Sequence, residues 1–134
     1  MKPHVFLAAI GDVNSPVTWS GIPFHFLQAG RRAGLIHEGL ALSVSGPGWK
    51  MRRAGWNAVS VITGNHYGGY QYSPEFLERL WKRDRERVRG SVVINCFQLL
   101  PKSVVQDPLI EKWFFLDQTL TQLFDFYGNR PSVG

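Results

Sequence analysis

VFLAAIGDVNSPVTWSGIPFHFLQAGRRAG, residues Val5 to Gly34, is the stretch on which the fold turns. Val5 to Ile10 is an unbroken apolar run ending at Gly11-Asp12, the pattern of a strand covered on both faces within a parallel sheet. The polar loop VNSPVTWSG follows. Ile22 to Ala33 then sets Ile22, Phe26 and Ala29 or Ala33 along one helical stripe, with Pro23 in the first turn and Gly34 as the stop. Strand, polar loop and helix in that order open a βαβ unit.

Leu35 to Ser43 reads as a second strand, although Glu38 and Gly39 interrupt its apolar character, and Gly46-Pro47-Gly48 marks a turn. Between Trp49 and Ile62 the apolar residues fit no single period cleanly, and a helix is expected there; Thr63 to Tyr72, TGNHYGGYQY, reads as an ordered Gly-rich and aromatic loop. Ser73 is a good N-cap with Pro74 at the first helical position. The apolar residues Phe76, Leu77, Leu80, Trp81 and Val88 continue a helix as far as Gly90. Ser91 to Phe97, SVVINCF, is short and β-branched, so it reads as another buried strand, ended by Leu99-Leu100-Pro101. The last segment admits two readings. One is a single helix capped by Asp107-Pro108 that carries Asp117 within its apolar stripe. The other, preferred for its four consecutive bulky β-formers and a Thr cap, is a strand Trp113 to Leu116, then Asp117, then a helix from near Thr119. Fully apolar strands alternating with helices imply an α/β domain, a Rossmann-like open parallel sheet flanked by helices.

The composition agrees with one globular domain. The 134 residues are 44% hydrophobic and 19% charged, a length at which a conventional core forms without metal or disulfide. One cysteine, Cys96, excludes an internal disulfide and fits a reducing cytoplasm. The N-terminal MKPHVFLAAIGD is too short in its apolar run for a signal core, and no uncharged apolar stretch reaches the roughly 20 residues that cross a bilayer. Fifteen basic against ten acidic side chains leave +5, gathered at Arg31, Arg32, Lys50, Arg52 and Arg53 and again between Arg79 and Arg89. Such an excess favours anionic partners. Glu75, Glu78, Asp84 and Glu86 are interleaved with the second group and make it equally the solvated face of a helix.

Open parallel sheets bind ligands beyond the carboxyl ends of their strands. That rule nominates the loops Gly11 to Gly21, Cys96 to Pro101 and Asp117 to Thr119, and with them Asp12, Thr18, Ser20, Gln98, Asp117 and Thr119. No Gly-x-Gly-x-x-Gly follows the first strand and no Gly-Lys-Ser/Thr loop is present, which argues against a classical dinucleotide oxidoreductase and a P-loop ATPase. In Thr18-Trp19-Ser20-Gly21-Ile22-Pro23, Gly21 permits close backbone approach and the helix start offers N–H groups to an anion; Ser20 equally reads as a helix cap. His4, His25, His37 and His66 show no metal-ligand spacing, and no serine sits in a nucleophile elbow. Cys96, among apolar neighbours, reads as an inert packed thiol. The aromatics of GGYQYSPEF could form a sugar-stacking platform.

At TWSGIPF (Thr18 to Phe24), GYQYSPEFL (Gly69 to Leu77), FQLLP (Phe97 to Pro101), and FLDQTL followed by FDFY (Phe115 to Tyr127), the chain resembles the N-terminal part of GT-B glycosyltransferases of the retaining, glycogen-synthase-like group. The resemblance implies an acceptor-binding Rossmann-like domain, a second domain for a nucleotide-sugar donor, sugar transfer in the cleft between them, and no obligatory metal or other cofactor. It implies that Asp117 is the catalytic carboxylate, hydrogen-bonding a sugar hydroxyl. Thr18, Ser20, Gly21, Ile22, Gln98 and Thr119 would contact substrate. The chain departs from the family pattern by ending before the donor domain and by carrying Asn95-Cys96 where a histidine is common, so it reads as a partial domain, inactive alone. The competing expectation is a non-catalytic module whose basic helix, Ser73 to Arg89, docks on an anionic membrane surface. Nucleic acid is the weaker partner, for want of a recognised motif. Both expectations are compatible with a cytoplasmic protein, peripheral at the membrane.

Overall fold

The computed structural model describes residues 2–44, 46–64 and 69–116. Four strands, β1 (Val5–Ile10), β2 (Glu38–Leu42), β3 (Val92–Asn95) and β4 (Glu111–Phe114), form one all-parallel sheet in the order β2-β1-β3-β4. The helices are α1 (Ile22–Arg32), α2 (Trp49–Thr63), α3 (Pro74–Trp81) and the single turn α4 (Lys102–Val105). This is the α/β open parallel sheet that the sequence implies.

Residues of β1 alternate between two apolar layers. Phe6 and Ala8 join Leu40, Leu42, Leu80, Trp81 and Val104 on the face covered by α3 and α4. Leu7 and Ala9 join Val13, Leu27 and Ile36 on the face covered by α1. The distribution of helices follows from the strand order. Going from β1 to β2 the chain moves one way along the sheet, and from β2 to β3 and on to β4 it moves the other way. Crossovers of one hand then require α1 on one face and α3 and α4 on the other.

Two features that weaken β2 in the sequence have physical roles. Gly39 faces α1, where a β-carbon would stand 2.5 Å from Val13 Cγ2 and 2.7 Å from Leu27 Cδ2, so only glycine lets the helix sit this close. Glu38 accepts an ion pair from Arg87 and lies 3.7 Å from His4 Nε2. At Gly30 a β-carbon would fall 2.4 Å from Ile36 Cδ1, and this contact sets the rotation of α1. The helix therefore buries Pro23, Leu27 and Gly30, one position off the stripe of Ile22, Phe26 and Ala29 or Ala33. Phe26 instead stacks on Phe115, with ring centroids 4.5 Å apart.

Ser73 caps α3 as expected, its Oγ accepting from Phe76 N at 3.2 Å, but the helix ends at Trp81 and not at Gly90. Lys82 N and Asp84 N donate three residues back, to Arg79 and Trp81, and the chain continues as irregular turns. In that path Asp84 and Val88 are both buried, Asp84 lies within ion-pair distance of Arg83 (3.1 Å) and Arg87 (3.8 Å), and Arg83 donates to Ala41 O of β2. Tertiary pairing here overrides helix propensity. In the last segment the strand reading holds, two residues earlier than Trp113 to Leu116. Its ladder runs on to Phe115, whose N–H donates to Asn95 O at 3.0 Å. The Thr119 helix expected after it lies outside the described residues.

Gly39→Ala should cost about 1–3 kcal/mol by overpacking, measured by urea unfolding. Gly55→Ala, on the open side of α2 where a β-carbon meets nothing within 4 Å, should instead stabilise by about 0.5–1 kcal/mol. Equal effects at the two sites would contradict the close packing assigned to Gly39.

Candidate functional site

The winding reverses between β1 and β3, and the crevice beyond their carboxyl ends is where a ligand is expected. The chain partly fills it with its own aromatics. After β1, Asp12 Oδ1 accepts from Asn14 N at 2.9 Å, and the loop then tightens into a 3-10 turn at Thr18–Gly21. Trp19, Ser20 and Gly21 are all left-handed, with φ of 51°, 57° and 81°. For Trp and Ser this costs of order 1–2 kcal/mol per residue. An offsetting contribution is visible: Trp19 Nε1 donates to Ile10 O at 2.9 Å, and the indole meets the Phe97 ring edge-on at 6.2 Å. Phe97 in turn stacks on Tyr72 at 5.8 Å. One aromatic row thus runs from the end of β1 past the end of β3 to the GGYQY segment.

Asn95, fully buried at the end of β3, holds the next loop by donating from Nδ2 to Phe97 O (2.8 Å) and Leu99 O (3.2 Å). Its Oδ1 is buried without a hydrogen-bond partner among the described residues. Beside it Cys96 is half-buried, and burial pushes its thiol up to about 11, so at neutral pH it is a protonated, poor nucleophile. The inert reading of Cys96 agrees with this.

Among the described residues a smaller and a larger hollow lie beyond the strand ends, the smaller walled by Trp19. The smaller, on the α1 face, has about 40 Å³ between Trp19, Ile22, Pro23, Gln98, Phe115 and Leu116, room for only a few waters. It brings together Gln98, one of the residues nominated by the strand-end rule, and Ile22, which only the family resemblance implies as a substrate contact. The other expected residues do not join them. Thr18 turns its methyl towards Gly11, Gly21 is buried against Pro16 O and His25, and Ser20 is exposed. Nor does Ser20 cap α1: Gly21 holds the N-cap position and no side chain bonds there. Asp117, Thr119 and His66 lie outside the described residues.

The larger hollow, on the α3 face beyond the ends of β1 and β2, is a cleft of about 300 Å³, the lower end of the range for small-molecule sites. Ile10, Leu42, Val44, Trp49, Phe76 and Leu80 form its apolar walls. Its polar groups are Ser43, Arg53, Gln71 and Tyr70. Tyr70 packs against Trp56 and Phe76, with centroids 6.1 and 5.4 Å away, and its buried hydroxyl has no hydrogen-bond partner among the described residues. Arg53 has no ion-pair partner among them, whereas the neighbouring Arg52 is held by Glu75 at 2.8 Å. An apolar slot with one cation, and a buried hydroxyl behind it that has no hydrogen-bond partner among the described residues, suits a ligand with an apolar or ring-shaped body and a hydroxyl-bearing or anionic head. Of the aromatics in GGYQYSPEF that sequence reasoning offered as a platform, Tyr70 and Phe76 line the cleft; Trp49, Arg53 and Ser43 were missed. The apolar positions of α2 fit no clean period, and only the fold brings that helix to the end of β2.

The thiol state is open to measurement. Alkylation of Cys96 by iodoacetamide at pH 8 should be at least about tenfold slower in the folded chain than in urea, since the folded thiolate fraction is lowered about a hundredfold and higher intrinsic nucleophilicity recovers only part of that. Equal rates would contradict the burial. No protein-family model, curated protein or solved structure matches the chain, so the chemistry of the cleft rests on its own residues.

Proposed function

We propose that this chain is the acceptor-side domain of a glycosyltransferase, that the 300 Å³ cleft takes the acceptor, and that transfer requires a second α/β domain supplying the nucleotide-sugar. The observation carrying the reading is the cleft itself: aromatic walls from Trp49 and Phe76, Arg53, and a buried Tyr70 hydroxyl without a hydrogen-bond partner among the described residues, beyond the carboxyl ends of a parallel sheet. Sugar rings bind by stacking an apolar face on aromatics while their hydroxyls seek buried partners. The β4 edge gives independent support for a larger sheet. Among the described residues β4 pairs with β3 alone, and it leaves Trp113 60% exposed beside exposed Phe114 and Phe115. A bulky apolar edge strand of this kind is ordinarily covered by another strand or helix.

The competing basic surface at residues 73–89 loses force. The helix stops at Trp81, and Arg79, Arg83, Arg85, Arg87 and Arg89 each lie within ion-pair distance of an acidic side chain. A patch compensated in this way offers little net attraction to phosphates.

Calorimetric titration with alkyl glycosides and, separately, with nucleotide-sugars tests the assignment. The glycoside should bind and the nucleotide-sugar should not; the reverse order, or silence from both, would overturn it. Tyr70→Phe should raise stability by about 1 kcal/mol, because it removes a buried unpaired hydroxyl, yet weaken glycoside binding by about fivefold or more. A variant that gains no stability, or loses no affinity, argues against a ligand bond at Tyr70.

A further inference from the structure

Helix α2 points its apolar side away from the protein. Inward it presents Trp49, Trp56 and the buried Ser60. Outward, Met51, Val59, Val61 and Ile62 are 79%, 60%, 70% and 84% exposed, and Ala54, Gly55 and Ala58 between them are exposed as well. At about 100° per residue, these positions fill an uninterrupted apolar arc about 160° wide. Lys50 and Arg52 stand on its two borders, and the helix sequence WKMRRAGWNAVSVIT contains no acidic residue. Lys50 has no acidic partner among the described residues, while Arg52 shares Glu75 with Arg79.

From this pattern we infer that α2 is an interfacial anchor, lying flat on an anionic lipid surface with its apolar arc among the acyl chains and Lys50 at the headgroup phosphates. Such a surface supplies both things the helix lacks: an apolar medium for four large exposed side chains, and negative charge along its cationic borders. A second copy of the chain fits less well, because two such faces meeting would bring like charges together at both borders. No helix of the described residues is long and apolar enough to cross a membrane, so the contact is peripheral. The inference is independent of the ligand assigned to the cleft. If both hold, Trp49 and Arg53 place the cleft wall on the helix that touches lipid, and the acceptor comes from the bilayer surface.

The test is co-sedimentation of the full chain with vesicles of phosphatidylcholine alone or mixed two to one with phosphatidylglycerol. Binding should be confined to the mixed vesicles and fall as salt is raised. The double substitution Val59→Ser and Ile62→Ser, at open positions that leave packing untouched, should weaken binding at least about tenfold. Lys50→Glu should weaken it about fivefold or more, and Val17→Ser, an exposed valine elsewhere, should leave it unchanged. Three results would each overturn the proposal: no binding to the mixed vesicles, equal binding to phosphatidylcholine alone, or wild-type binding by the Val59/Ile62 double variant. Self-association in solution that the same double variant abolishes, without vesicle binding, assigns the face to a second copy instead.

Discussion

β1 is hydrogen-bonded along both sides, to β2 from Phe6 to Ile10 and to β3 from Val5 to Ala8, while its side chains divide between two apolar layers. A strand so enclosed admits no polar side chain and no slip in register, because a shift by one residue would exchange its two faces. The rest of the described structure takes its position from that constraint. The two strands beside β1 come from opposite directions of winding, the helices divide between faces accordingly, and the carboxyl end of β1 opens onto the larger hollow while the smaller lies beyond β3 and β4. The geometry of the candidate site is thus a by-product of how the central strand is buried.

Where sequence and structure agree, the information is local. The apolar run of β1, the Ser73 cap and the β-branched run of β3 each declare themselves within a few residues, and the fold class follows from their order. Disagreement arises where a distant partner decides. The rotation of α1 is set by Ile36 pressing on Gly30, the end of α3 by Asp84 and its arginines, and the tolerance of Gly39 by Val13 and Leu27 from two other segments. No periodicity in any one segment contains those facts. The candidate site divides in the same way: Gln98 was reachable from the rule about strand ends, whereas the larger cleft required knowing that α2 and the 3-10 turn at Tyr70–Tyr72 close over the end of β2.

Charge is likewise better understood as placement than as a sum. The arginines between Arg79 and Arg89 are the densest in the chain, yet they are spent on holding the turns after α3 to β2 and to the segment before β4. Lys50 and Arg53 sit in a thinner cluster but have no acidic partner among the described residues. The more consequential positive charge lies where the sequence is less conspicuously basic.

The backward-turning trio at Trp19, Ser20 and Gly21 bears on how freely this rim could vary. Glycine at all three positions would ease the backbone, but it would remove the indole that bridges the tip of one strand to the loop beyond another. An uncomfortable peptide path is kept because a large ring walls the smaller hollow beyond the strand ends, so a swap at Trp19 would redraw the outline of that cavity.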